Sequence, residues 1–205
     1  MRCLVFISSL CLFVCFGCRS AYRALRAAPG DPACIQRFKP SLGTALYKTE
    51  VDVVGKHLSG LLVLKAMPDS STRVVFTSEM GLTFFDFGFA ASGRCTVYRM
   101  LDKMDKKAVR KTLRKDFELL LFEHTGGGRV LTDGTDRFYA FPQETGTNYY
   151  ITDSTCTHLL RVEKASKRQA FVVARLMDYR QGIPDSVSIV HQKFQFTIAL
   201  KHLER

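Results

Sequence analysis

The chain is short of acidic residues: 19 Asp and Glu face 30 Lys and Arg, for a formal net charge of +11. Such a balance suits anionic partners, whether a lipid surface, a nucleic acid or an acidic protein. Signatures of catalysis are missing as well. His57, His124, His158, His191 and His202 fall into no HExxH or comparable ligand spacing. Gly126-Gly127-Gly128-Arg129 lacks the Lys-Ser/Thr ending of a phosphate loop, and no GxSxG occurs. These absences argue against an enzyme, and no metal or cofactor is expected. An exported protein rarely meets nucleic acid, and no reading motif organises the basic residues, so nucleic acid is not an expected partner.

Cysteine is scarce beyond residue 18. Only Cys34, Cys95 and Cys156 remain, without a CxxC and odd in number. An oxidising compartment permits one disulfide, but spacing does not choose the pair. Buried small hydrophobes are the plainer expectation, and a zinc site is disfavoured. After the N-terminal segment no stretch approaches 18 consecutive apolar residues, so the remainder should be soluble.

What is present begins at the N-terminus. Met1-Arg2 precedes Cys3 to Phe16, a stretch without charge, and then come Gly17, Cys18 and Arg19. This is the shape of a bacterial export signal and is short for a membrane-spanning helix. The small Gly17 directly before Cys18 suits a lipoprotein signal peptidase, which would leave Cys18 lipidated. Ordinary cleavage and an uncleaved anchor are the other outcomes. Removing Arg2 with the signal leaves about +10. The expected organisation is therefore a signal over 1–17, then a lipidated cysteine, tether and short helix over 18–44. One domain follows over 45–205, in the cell envelope.

Asp31-Pro32 predicts a helix start that Lys39-Pro40 stops. From Leu46 the pattern becomes strand-like, with five meandering antiparallel strands to Met100. Within them Phe85, Phe87 and Phe89 share a face opposite Asp86. Residues 102–122 change period: Leu101, Met104, Ala108, Leu113, Phe117 and Leu120 recur every three or four positions, predicting an amphipathic helix. Strands resume after the glycine run, with a hairpin at Asp133-Gly134. The last strand alternates Phe194, Phe196, Ile198 and Leu200 with Gln195, Thr197, Ala199 and Lys201. About a dozen strands around one long helix make a mainly β, α+β class.

Together these features resemble the LolA/LolB-like superfamily of envelope lipoprotein and lipid carriers. The residues that carry the resemblance are Leu46-Tyr47 to Val53, Ser59-Gly60-Leu61-Leu62, Arg73-Val74-Val75-Phe76, Glu79-Met80-Gly81, Phe84-Phe85-Asp86-Phe87 and Lys115-Asp116-Phe117. Pro184-Asp185-Ser186-Val187-Ser188-Ile189 and the alternating last strand complete it over roughly residues 45–200. The resemblance implies an incomplete antiparallel β-barrel, strongly curved, with helix over its open side and acyl chains held on the concave face. It places such a protein at the outer membrane, facing the periplasm.

Candidate lining residues are Leu62, Leu64, Phe76, Phe85, Phe87, Phe89, Phe194, Phe196, Ile198 and Leu200. The pattern leaves open which alternate set faces inward, and whether the set lines a lipid-accepting cavity or fills a permanent core. Lys103, Lys107, Arg110, Lys111 and Arg114 are candidates for the outer face of a lid. That face would meet anionic head groups or an acidic partner, or simply be solvated. Two functions follow. One is a lipid-anchored protein that binds the acyl chains of a lipid or lipoprotein, and the other is an accessory platform for an envelope partner.

Overall fold

A computed structural model describes residues 21–204 of the chain. The export signal and Cys18 lie outside the described residues.

The strands are β1 (Arg26–Ala27), β2 (Thr44–Val53), β3 (Lys56–Ala66), β4 (Thr72–Thr77), β5 (Thr83–Phe89) and β6 (Cys95–Met100). The helix α1 (Lys107–Leu120) leads to β7 (Arg129–Thr132), β8 (Arg137–Pro142), β9 (Thr147–Thr152) and β10 (Leu159–Ala165). The chain closes with β11 (Ala170–Arg180), β12 (Ile183–His191) and β13 (Phe196–His202). All 13 form one sheet in the order β1-β7-β8-β9-β10-β11-β12-β13-β2-β3-β4-β5-β6. Each paired neighbour runs antiparallel. The sheet is thus two meanders joined at its centre, where β13 lies beside β2 with Ile198 opposite Val51. It is not closed into a barrel. The segment carrying α1 links β6, at one edge, to β7 near the other, and α1 packs into the concave side.

Register fixes which residues face inward. Phe85 stands opposite Phe76, Phe76 opposite Leu62, and Leu62 opposite Tyr47. The next row is Phe87, Val74, Leu64 and Ala45. Because side chains alternate between faces, these rows form one continuous apolar surface. All eight are buried. Gly60 serves the same curvature from β3: a Cβ there would meet the Thr77 carbonyl oxygen at 2.0 Å, so any larger residue would force β4 away.

Three expectations need correction. Helix 102–122 is shorter than its period suggested. A 3-10 turn at Asp102–Met104 comes first, and extended backbone at Lys106 (φ −118°, ψ 140°) separates it from α1. The chain has to turn from the β6 edge into the concavity, and Asp105 pairs with Arg110 instead of capping the helix. Second, the segment expected as a tether is docked where it is described. Tyr22 stacks on Tyr149 at 4.9 Å, its hydroxyl donates to Glu163 at 2.5 Å, and Arg26–Ala27 pair with β7. Third, Cys34 and Cys156 form a disulfide, leaving Cys95 free. The helix predicted after Asp31 is a 3-10 helix, Pro32–Phe38, with the Asp31 carboxylate accepting from the Ala33 N–H at 2.9 Å.

Candidate functional site

Between α1 and the concave face lies an apolar cavity of about 40 Å³. Its floor includes Val51, Leu62, Phe76 and Ile198, and its roof is Met104, Leu113 and Phe117. Thr49 is the one polar residue of the lining, and its hydroxyl is spent on the Tyr47 carbonyl at 3.2 Å. A cavity of this size is far below the roughly 300 Å³ at which ligand pockets begin. The space is a slot left under a closed helix.

Of the ten residues singled out as lining, Leu62, Phe76, Phe85, Phe196 and Ile198 border this slot. Leu64, Phe87, Phe89 and Leu200 share the same buried core without bordering it. Phe194 falls elsewhere. It sits in the turn before β13, 46% exposed, stacked on Phe196 with ring centroids 6.0 Å apart. The alternation of the last strand therefore begins at Phe196, one step later than its pattern implied.

α1 is anchored asymmetrically. From Leu113 onward it buries Leu113, Phe117, Leu119 and Leu120, and the Phe117 and Phe85 ring centroids lie 5.7 Å apart. The Tyr150 hydroxyl donates to the Leu119 carbonyl at 3.3 Å. The N-terminal half has no side-chain cap, and Lys107, Ala108 and Arg110 are exposed. A helix held at one end and uncapped at the other frays first at the uncapped end.

A polar row crosses the sheet under the helix. Asn148 on β9 stands opposite Lys164 on β10, Lys164 opposite Val172, and Val172 opposite His191. At its end His191 Nε2 lies 2.9 Å from the Asp116 carboxylate of α1. Both partners are buried, so the pair ties the helix to β12 in a low-dielectric setting. Nothing in the sequence pointed to it, since 75 residues separate the two. Burial pushes the Asp116 carboxyl above its usual range, opposed by His191 and by Lys164. Burial pushes the Lys164 ammonium down, aided by Lys115 and Lys111 and opposed by Glu118 and Asp116.

The raised Asp116 value carries a sign. The folded state keeps a proton that the unfolded chain releases near pH 4, so stability falls as pH rises through the raised value. Asp116→Asn removes that titration. Wild type and variant should therefore have similar urea midpoints below pH 4, with wild type losing up to about 1.4 kcal/mol per pH unit relative to the variant above it. Urea titrations across pH 3.5 to 7 check this, and a constant difference would refute it.

The basic face of α1 is only partly free. Arg110 is engaged by Asp105, Arg114 lies 2.6 Å from Glu118, and Lys115 lies 3.3 Å from Glu118. Lys103 belongs to the preceding 3-10 turn. The Lys107 and Lys111 side chains are in no ion pair or hydrogen bond among the described residues. At the β4–β5 turn, Met80 is 97% exposed and Leu82 48%. Met80 belongs to the Glu79-Met80-Gly81 motif, and Leu82 carried no signal in the sequence. Among the described residues no group of His, Cys, Asp and Glu could hold a metal ion, and no helix is long and apolar enough to cross a membrane.

An antiparallel sheet curved round an apolar slot, with one helix across its open side, defines an open half-barrel class. No family model matches the chain, and no curated protein matches it. Solved structures do. A LolA superfamily protein from Nitrosomonas europaea aligns at a TM-score of 0.53 and 7% identity, over 86% of this chain and 93% of that one. An outer membrane lipoprotein-sorting protein domain from Vibrio parahaemolyticus aligns at a TM-score of 0.48 and 9% identity, over 84% and 90%. The chain has a LolA-like fold.

Proposed function

We propose that this is a lipid-handling protein of a bacterial envelope, anchored through lipid on Cys18, that takes acyl chains between α1 and the concave sheet. The observation that carries the reading is the apolar lining of the slot under a helix fixed at one end. The slot is too small for an acyl chain as it stands, so the chain enters by lifting the Leu101 to Arg110 side of the lid. Opening exposes apolar surface at about 25 cal/mol per Å², and the acyl chain covers it again. The transfer is reversible and involves no covalent chemistry. The Cys34–Cys156 disulfide suits an oxidising compartment. The apolar tip at Met80 and Leu82 suits contact with a membrane. The LolA-like fold supports lipid or lipoprotein binding at a coarse level.

One observation favours a second reading. A slot of about 40 Å³ is also what a permanently packed core leaves, and that core would belong to an envelope platform with an accessory role. Native mass spectrometry of gently purified protein, followed by challenge with a fluorescent fatty acid, separates the two. The carrier reading expects bound lipid or saturable uptake. Protein that is always ligand-free and takes up no probe would leave the platform.

A further inference from the structure

A groove of about 380 Å³ runs along the outer flank of α1. One wall is β6 at Cys95 and Val97, and the other is the helix at Lys107, Lys111, Arg114 and Lys115. A second hollow of about 420 Å³ shares Arg114, Lys115 and Glu144 with it and reaches the Gln143 side chain. The volumes lie within the range of small-molecule sites, in contrast to the apolar slot.

Charge distinguishes this groove from an ordinary solvated helix face. Arg110 and Arg114 are taken up by Asp105 and Glu118, but Lys107 and Lys111 are in no such contact among the described residues. Lys107 and Lys111 stand four positions apart on α1, in a lining whose one carboxylate is Glu144, and a bound anion relieves the repulsion between them.

The groove also adjoins the interior. Cys95 and Val97 pack against the core that contains the slot, together with Leu101, Met104 and Val109. β6 is an edge strand whose sole sheet partner is β5, so no backbone hydrogen-bond ladder seals it to α1. An α-helix with its side chains is about 10 Å across. A glycerophospholipid spans that width with its polar part outside and its chain inside.

We propose that the groove on the outer flank of α1 is a head-group site for an anionic phospholipid, whose acyl chain reaches the slot through the seam between α1 and β6. The phosphate rests on Lys107 and Lys111. The seam makes a lipid the better fit than an acidic peptide. Cys95, Val97, Met104 and Val109 beside the seam are apolar, which suits an acyl chain and not an acidic peptide.

The site rests on the acyl-chain reading above, and its test keeps the two apart. Calorimetric titration of the whole chain with oleoyl lysophosphatidylglycerol and oleoyl lysophosphatidylcholine, below their micellar concentrations, compares an anionic with a zwitterionic head on the same chain. The anionic lipid should bind about tenfold tighter, and K107Q/K111Q should abolish the preference while leaving the zwitterionic affinity in place. Equal wild-type affinities would overturn the head-group site and spare the acyl-chain reading. Binding of neither lipid would overturn both. A preference that survives K107Q/K111Q would overturn the site as assigned. Glycerol 3-phosphate binding as tightly as the lysolipid would assign the groove to a soluble phosphate instead. A polyglutamate peptide displacing the anionic lipid from the folded protein would assign it to a protein partner.

Discussion

Reducing the Cys34–Cys156 disulfide should lower the stability of the fold by about 4 to 5 kcal/mol, the largest effect expected of any single change here. The bond spans 122 residues, so it removes the loop-closure freedom of more than half the chain from the unfolded ensemble. It also pins the 3-10 helix Pro32–Phe38 to the turn after β9. Arg37 donates to the Cys156 carbonyl at 3.0 Å and Tyr179 to the Phe38 carbonyl at 2.8 Å. That segment inserts Ile35 and Phe38 into the core. Losing the bond should therefore loosen one end of the half-barrel before the rest. Urea unfolding of oxidised and reduced protein measures the first effect, and Cys34→Ser/Cys156→Ser should match the reduced form. A loss under about 1 kcal/mol would mean that the non-covalent contacts alone hold the segment.

Phe117→Ala should have the next largest effect. Phe117 is the roof of the slot and packs on both Phe85 and Phe89. Truncating a buried phenylalanine costs about 3 to 5 kcal/mol, part of it for the cavity left behind. The same change joins that new space to the existing slot. On the proposed acyl-chain function, uptake of a fluorescent fatty acid should then become faster even as the fold weakens, because α1 has lost its main inward contact. Equilibrium unfolding and stopped-flow uptake read the two quantities separately. Slower uptake at full folding would mean that Phe117 holds the ligand and does not bar it.

Residue patterns predicted the sheet well where one face is buried. Leu62, Leu64, Val74 and Phe76 alternate with more exposed neighbours, and a period of two leaves little freedom of assignment. The same rule misplaced Phe194, because alternation does not reveal where a turn ends and a strand begins. Helix period located α1 but not its start, since Lys106 is extended for reasons of connection and Lys106 is otherwise a good helix former. The cysteines were opaque for another reason. Whether Cys34 meets Cys156 or Cys95 depends on which strands neighbour each other, and spacing does not encode that. Asp116 was seen as part of a family-like tripeptide, but its partner His191 lies on a strand that reaches it only through tertiary folding. The basic residues were visible as a cluster. Which of them are already paired became clear only from the geometry of Asp105 and Glu118.

The pairing of β13 with β2 bears on how the protein is made. Val53 lies beside Phe196 and Tyr47 beside His202, so the seam at the middle of the sheet joins residues 143 and 155 positions apart. During synthesis β2 emerges early and must wait for β13 with one edge unsatisfied. Long-range β pairing of this kind is slow, and an open edge invites the wrong neighbour. The contact that completes the sheet therefore forms only once residues 196–202 are available to pair with residues 47–53.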